Sequence, residues 1–144
     1  MTTLNLRQLS EALRAGACGL YPLEAGTNLL IECDSWLHRD DFTSRFISTG
    51  PSISDRVTLL AATDWEAAVT ALHAGELPAS GGERRMLLLA ASIAAGTPVS
   101  LNDALPGIDR RTAGLVVKAI AHATGHAARR SIRLSAPSAT QDRR

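Results

Sequence analysis

An all-α fold is what this sequence predicts: one domain of five to seven helices around a buried central helix at about 82–95. Three observations carry it. Ser80 and Glu83 have the spacing of a capping box, in which the serine oxygen accepts the N–H three residues on and the glutamate reaches back to the cap's own N–H. From Met86, the residues Met86, Leu89, Ala90 and Ile93 recur at the helical period. Leu87, Leu88 and Ala91 fill the other faces, so this helix is apolar nearly all round and belongs inside. Aromatic residues make up only 3% of the chain, and an interior of Ala and Leu favours close helix packing over strands.

The other elements follow in chain order. Asn5 with Gln8 starts a first helix whose narrow stripe is Leu6, Leu9 and Leu13, closed by Gly16. Pro22 opens a second, where its missing N–H costs nothing. Leu23, Gly26, Leu30 and Cys33 are helically spaced there, with Leu29 and Leu37 widening the stripe. Gly26 weakens that helix by up to about 1 kcal/mol relative to Ala, and a short strand from Thr27 to Cys33 competes with it. Asp40 caps a short helix presenting Phe42 and Phe46. Residues 48–54, with Gly50-Pro51, read as a flexible loop. Residues 56–62 are ambiguous, with a helix through Val57, Leu60 and Ala61 as one reading.

Asp64 caps a helix with Trp65, Ala68, Val69 and Leu72 on one face and Gly75 at its end. Gly96 terminates the central helix and Pro98 stops it from continuing. Ser100 can cap one short turn, and Pro106-Gly107 makes a tight connection. Asp109 caps the last helix, with Ala113, Val116, Val117 and Ile120 as its apolar stripe and Gly125 as its stop. Arg111, Lys118 and His122 fall on the other side as a basic face interrupted by Leu115. The domain is thus expected over 1–125. Residues 126–144 are expected to be a basic, largely disordered tail, with a brief strand at Ile132 and Leu134.

Charge is unevenly spread. Residues 1–108 hold 7 Arg against 12 acids, or −5, whereas residues 109–144 hold 8 basic residues against 2 acids, or +6. Such asymmetry suggests an end that binds polyanions or a fold whose parts attract one another. The fourteen Arg and one Lys read as a GC-rich coding bias and not as a functional choice. No secretory pattern opens the chain, and the ten-residue run Met86–Ala95 falls short of the roughly 20 needed to cross a bilayer. A cytoplasmic protein without a membrane partner is expected. Cys18 and Cys33 read as small buried hydrophobes.

Nothing points to catalysis or a cofactor. His122 and His126 have a spacing zinc tolerates, but Gly125 breaks the helix between them. Asp40 and Asp41 are adjacent and diverge on a helix, and no G-x-S-x-G nucleophile motif occurs. The stretch Ser80-Gly-Gly-Glu-Arg-Arg-Met86 resembles the signature loop of ABC-type ATPases, and the chain down to Leu105-Pro-Gly-Ile-Asp109 is similar in spacing to their acidic strand and following loop. That resemblance implies ATP hydrolysis. The glycine-rich phosphate loop with Lys-Ser/Thr is missing, however, and Asn102-Asp103 stands where the family has Asp-Glu.

A second resemblance is to helix-turn-helix DNA-binding domains. Glu83–Ala95 matches the scaffold helix, Ser100–Leu105 the short first helix, and Asp109–Thr124 the recognition helix. The resemblance implies that Arg110, Arg111 and Thr112 enter the major groove, where arginine pairs with guanine. Lys118, Arg129, Arg130 and Arg133 would add contacts to nucleic acid, the last three to phosphates. The alternative is a non-catalytic adaptor that binds a protein or itself. It would use Trp36, Leu37, Phe42 and Phe46 if part of that surface stays exposed, whereas a chain with few aromatics usually buries them.

Overall fold

The computed structural model describes residues 3–126. Its elements are α1 (Leu6–Ala17), α2 (Tyr21–Glu32), a 3₁₀ turn (Trp36–His38), α3 (Asp40–Phe46), β1 (Ile47–Pro51), β2 (Leu59–Thr63), α4 (Trp65–His73), α5 (Gly81–Ala95), α6 (Leu101–Ala104) and α7 (Arg110–Ala123). The described chain is therefore mostly helical with one small sheet. None of its helices is long and apolar enough to cross a membrane.

Local chemistry explains where the helices begin. Two full capping boxes form: Asn5 with Gln8 at 2.8 and 2.9 Å, and Ser80 with Glu83 at 3.2 and 2.9 Å. Asp64 and Asp109 each accept the N–H three residues on, from Ala67 at 3.1 Å and Thr112 at 2.7 Å. That bond to Thr112 holds the Asp109 carboxyl below the usual range. At α3 the cap position belongs to Arg39, not Asp40. Asp40 and Asp41 sit in the first turn instead, where negative charge suits the helix dipole. Gly75, Gly96 and Gly125 follow their helices with φ of 80°, 75° and 81°.

The largest departure from the sequence reading is the hairpin. β1 and β2 pair antiparallel, with Ile47 opposite Thr63 and Pro51 opposite Leu59. Strand replaces the first part of the loop expected at 48–54, whose residues 52–54 do belong to the connecting turn, and no helix forms at 56–62, which is turn and then β2. Three features fit the hairpin to these residues. Asp55 accepts from the Thr58 hydroxyl at 2.6 Å and from the Val57 and Thr58 N–H groups at 2.9 Å, closing the connecting turn. Pro51 sits at the end of its strand, where a missing N–H is tolerated. Ala61 faces inward and lies against Gly16 of α1. Gly16 thus lies inside α1, which runs on to Ala17. The competing strand at 27–33 is helix α2 through Glu32.

Helix α5 packs mainly along α2 and α4, while α2 also carries α7 on another side. Met86, Leu87, Leu89, Ala90 and Ala91 are buried, meeting Leu29, Leu30, Trp65, Ala68 and Leu72 in one core. Trp36, Leu37, Phe42 and Phe46 belong to that core too. The Trp36 indole N–H donates to the Glu83 carbonyl at 2.9 Å, tying the 3₁₀ turn to the start of α5. The Phe42 ring lies 5.2 Å from Trp36 and 5.6 Å from Phe46. Of the two cysteines, Cys18 is exposed, contrary to expectation, because it follows the last turn of α1. Cys33 is half-buried, its thiol donating to the Leu30 carbonyl at 3.2 Å, and burial pushes its pKa up.

Candidate functional site

The candidate basic surface centres on α7. The apolar stripe read from the sequence is rotated from the one the fold buries. Val116 and Ala119 face the core, with Leu115 and Ala123 packed against it. Val117 and Ile120 point outward, 67% and 50% exposed. The supposed outer basic face is instead the side that meets α2. Arg111 donates to the Glu32 carbonyl at 3.0 Å, Lys118 to the Glu32 carboxylate at 3.0 Å, and His122 pairs with the Glu24 carboxylate at 2.7 Å. These contacts rise along α7 as they descend along α2, so the two helices are antiparallel. Arg111, Leu115, Lys118 and His122 are spaced three or four apart and form one stripe. Acids eight residues apart on α2 attract it.

Each contact has a local reason. The Glu32 carbonyl lies at the C-terminus of α2, where backbone oxygens lack helical partners and a cation is favoured. The Gly19 N–H donates to Glu24 at 2.8 Å and, with His122, holds its carboxyl below the usual range. Tyr21 meets His122 edge-on, with ring centroids 6.0 Å apart.

What remains available for an external anion is different from what the sequence proposes. Arg110 is exposed and has no hydrogen-bond or ion-pair partner among the described residues. Thr112 is half-buried, and its N–H is taken by Asp109. Arg111 and Lys118 are exposed, so their bonds to α2 lie at the surface. Arg129, Arg130 and Arg133 lie outside the described residues, as does the expected tail beyond His126. The helix-turn-helix order of a long helix, a short helix and a second long helix is present in α5, α6 and α7. Helix α6, however, is a single turn of four residues.

The residues offered as a partner surface are not available. Trp36 and Phe42 are fully buried and Leu37 and Phe46 nearly so, which removes the exposed apolar patch. The reason is that the 3₁₀ turn and α3 close over the junction of α4 and α5. In the stretch resembling an ATPase signature, Ser80 and Glu83 are occupied with each other as a cap. What would align with the acidic strand is loop and helical turn.

Sequence reading passed over Arg84 and Arg85. Their signal was a pair of adjacent arginines close to the start of a helix, the end where the dipole disfavours cations. Arg84 donates to the Leu72 carbonyl at 3.2 Å and to His73 Nδ1 at 3.1 Å, reaching across to the end of α4. Arg85 lies beside Gly81 and Gly107.

No family model, curated protein or solved structure matches this chain.

Proposed function

We propose that this protein binds nucleic acid without catalysing a reaction, gripping phosphates with the start of α7 and the arginines beyond it. The observation that supports this reading best is Arg110. It stands in the first turn of α7, exposed and without an intramolecular partner among the described residues, beside Arg111. A cation there is disfavoured by the helix dipole, so helix stability does not account for Arg110. The +6 balance of residues 109–144 adds to the argument, and phosphate contacts of this kind are sequence-independent.

The test is binding to a fluorescent DNA duplex at low and moderate salt, with the Arg110→Ala/Arg129→Ala/Arg130→Ala variant beside the parent. Affinity that falls steeply with salt, and is largely lost in the variant, is the expected outcome. Absence of binding at low salt sinks the proposal for duplex DNA.

One observation favours a second reading, that of a protein that pairs with itself or another protein. Its surface moves from the buried Trp36–Phe46 region to the outward Val117 and Ile120 of α7. A monomer by light scattering at high concentration would discard self-association.

A further inference from the structure

A cleft of about 390 Å³ opens where the end of α4, the first turns of α5 and the segment into α6 meet. His73, Arg84, Arg85 and Asp103 supply its polar lining, and Leu88 and Val99 its apolar lining. This volume is in the range of small-ligand sites, and a mostly apolar wall with a few convergent polar groups is their usual composition.

The polar groups differ in readiness. The Arg84 guanidinium is fixed by the Leu72 carbonyl and by His73. Because arginine only donates, His73 Nδ1 accepts in that contact, and a neutral ring then keeps its proton on Nε2 as a further donor. Arg85 is half-buried yet makes no hydrogen bond or ion pair with any described residue. Its guanidinium lies against Gly107, where an added methyl would be 3.1 Å from it. Its donors therefore face the cleft without a protein acceptor among the described residues and are free to meet an anion. With Arg84 and Arg85 against Asp103, the formal charge of the lining is 2 − 1 = +1.

We propose that this cleft binds a small organic molecule through one oxyanion, a carboxylate or a phosphate monoester. The oxyanion sits on the Arg84–Arg85 pair, since the planar guanidinium fork matches either group. The ligand's apolar body lies on Leu88 and Val99, and Asp103 accepts from a donor on its far side. This site is separate from the Arg110 surface, and neither depends on the other.

The experiment is an amide ¹H–¹⁵N NMR titration of the full chain with benzoate in one arm and phenyl phosphate in the other. Saturable shifts centred on Gly81, Leu88, Ser100 and Asp103 are expected with at least one probe, and the stronger arm identifies the oxyanion. Arg85→Gln should weaken binding about tenfold or more. Ser100→Trp, at an exposed position whose side chain makes no cap bond, should block the cleft even if the first variant fails to fold. Duplex DNA binding should survive Ser100→Trp, which separates failure here from failure of the nucleic-acid reading. Shifts that never saturate, that persist in the Ser100→Trp protein, or that centre on Arg110 would overturn the proposal.

Discussion

Trp36 shows how much one side chain organises. Its ring is wholly buried, its N–H reaches the Glu83 carbonyl, and the Arg39 guanidinium covers its face at 4.6 Å. Arg39 is itself anchored by Asp41 at 2.6 and 2.9 Å and by the Pro78 carbonyl at 2.6 Å. The bond to Arg39 draws the Asp41 carboxyl below its usual range. Truncating a buried tryptophan removes a large apolar area and leaves a cavity, so Trp36→Ala should cost about 3–5 kcal/mol in urea unfolding. A loss below about 1 kcal/mol would contradict this account of the core. Asp55 gives a prediction in pH. The Thr58 hydroxyl, then the Thr58 and Val57 amides, pull its pKa from 3.8 to about 2. A carboxyl whose folded pKa is depressed stabilises the fold above its unfolded pKa, and that contribution disappears as pH falls from about 4 through 2. Carboxyl carbon shifts should titrate with a midpoint near 2, rising towards 3.8 in Thr58→Ala. An unchanged midpoint would show that the hydroxyl is not the cause.

At the scale of elements, helix contacts depend on small residues at crossings. Gly26, which costs helix propensity when α2 is considered alone, sits where α2 and α5 approach closely. A methyl there would meet Ala94 and stand 2.6 Å from the Ala90 carbonyl oxygen. Gly26→Ala should therefore destabilise by about 1–3 kcal/mol, as overpacking does, despite alanine's better propensity. Thermal unfolding decides it: a raised midpoint would mean that propensity outweighs the contact. The same logic applies to Gly16, whose added methyl would collide with the Ala61 carbonyl of β2. The α2–α7 contact works differently, through Arg111, Lys118 and His122 meeting Glu32 and Glu24. Exposed pairs of this kind contribute little each, about 0.2–1 kcal/mol. They accompany a rotation of α7 that buries Val116 and Ala119 and leaves Val117 and Ile120 outward.

For the whole molecule, the charge division between its parts is answered partly inside the fold. Acids of the first portion neutralise Lys118 and engage His122, so the basic character available to a partner is smaller than the +6 balance implies. On the nucleic-acid reading proposed above, Arg110, Arg111 and the residues beyond the described chain would carry what is left for phosphate. A salt slope measured on DNA therefore reports few phosphate contacts within α7 itself. Arg110→Ala alone should reduce it by about one unit. A slope unchanged by that substitution would place the contacts elsewhere.

The sequence by itself determined the helices whose signals are local. Asn5-Gln8, Ser80-Glu83, Asp64 and Asp109 mark starts, and Gly75, Gly96 and Gly125 mark stops, because caps act within one turn of chain. The apolar run of α5 likewise announced its own burial. Tertiary structure alone decided the hairpin, since Ile47–Pro51 and Leu59–Thr63 gain their ladder partners from each other and β2 packs on α1. It also decided which face of α7 turns inward. Two apolar stripes competed there, and the one that packs on α2, some 80 to 100 residues away in sequence, is the one that also brings Arg111, Lys118 and His122 to Glu32 and Glu24. The Arg84–Arg85 cleft was hidden for the same reason: its walls come from three segments that meet only when the chain is folded.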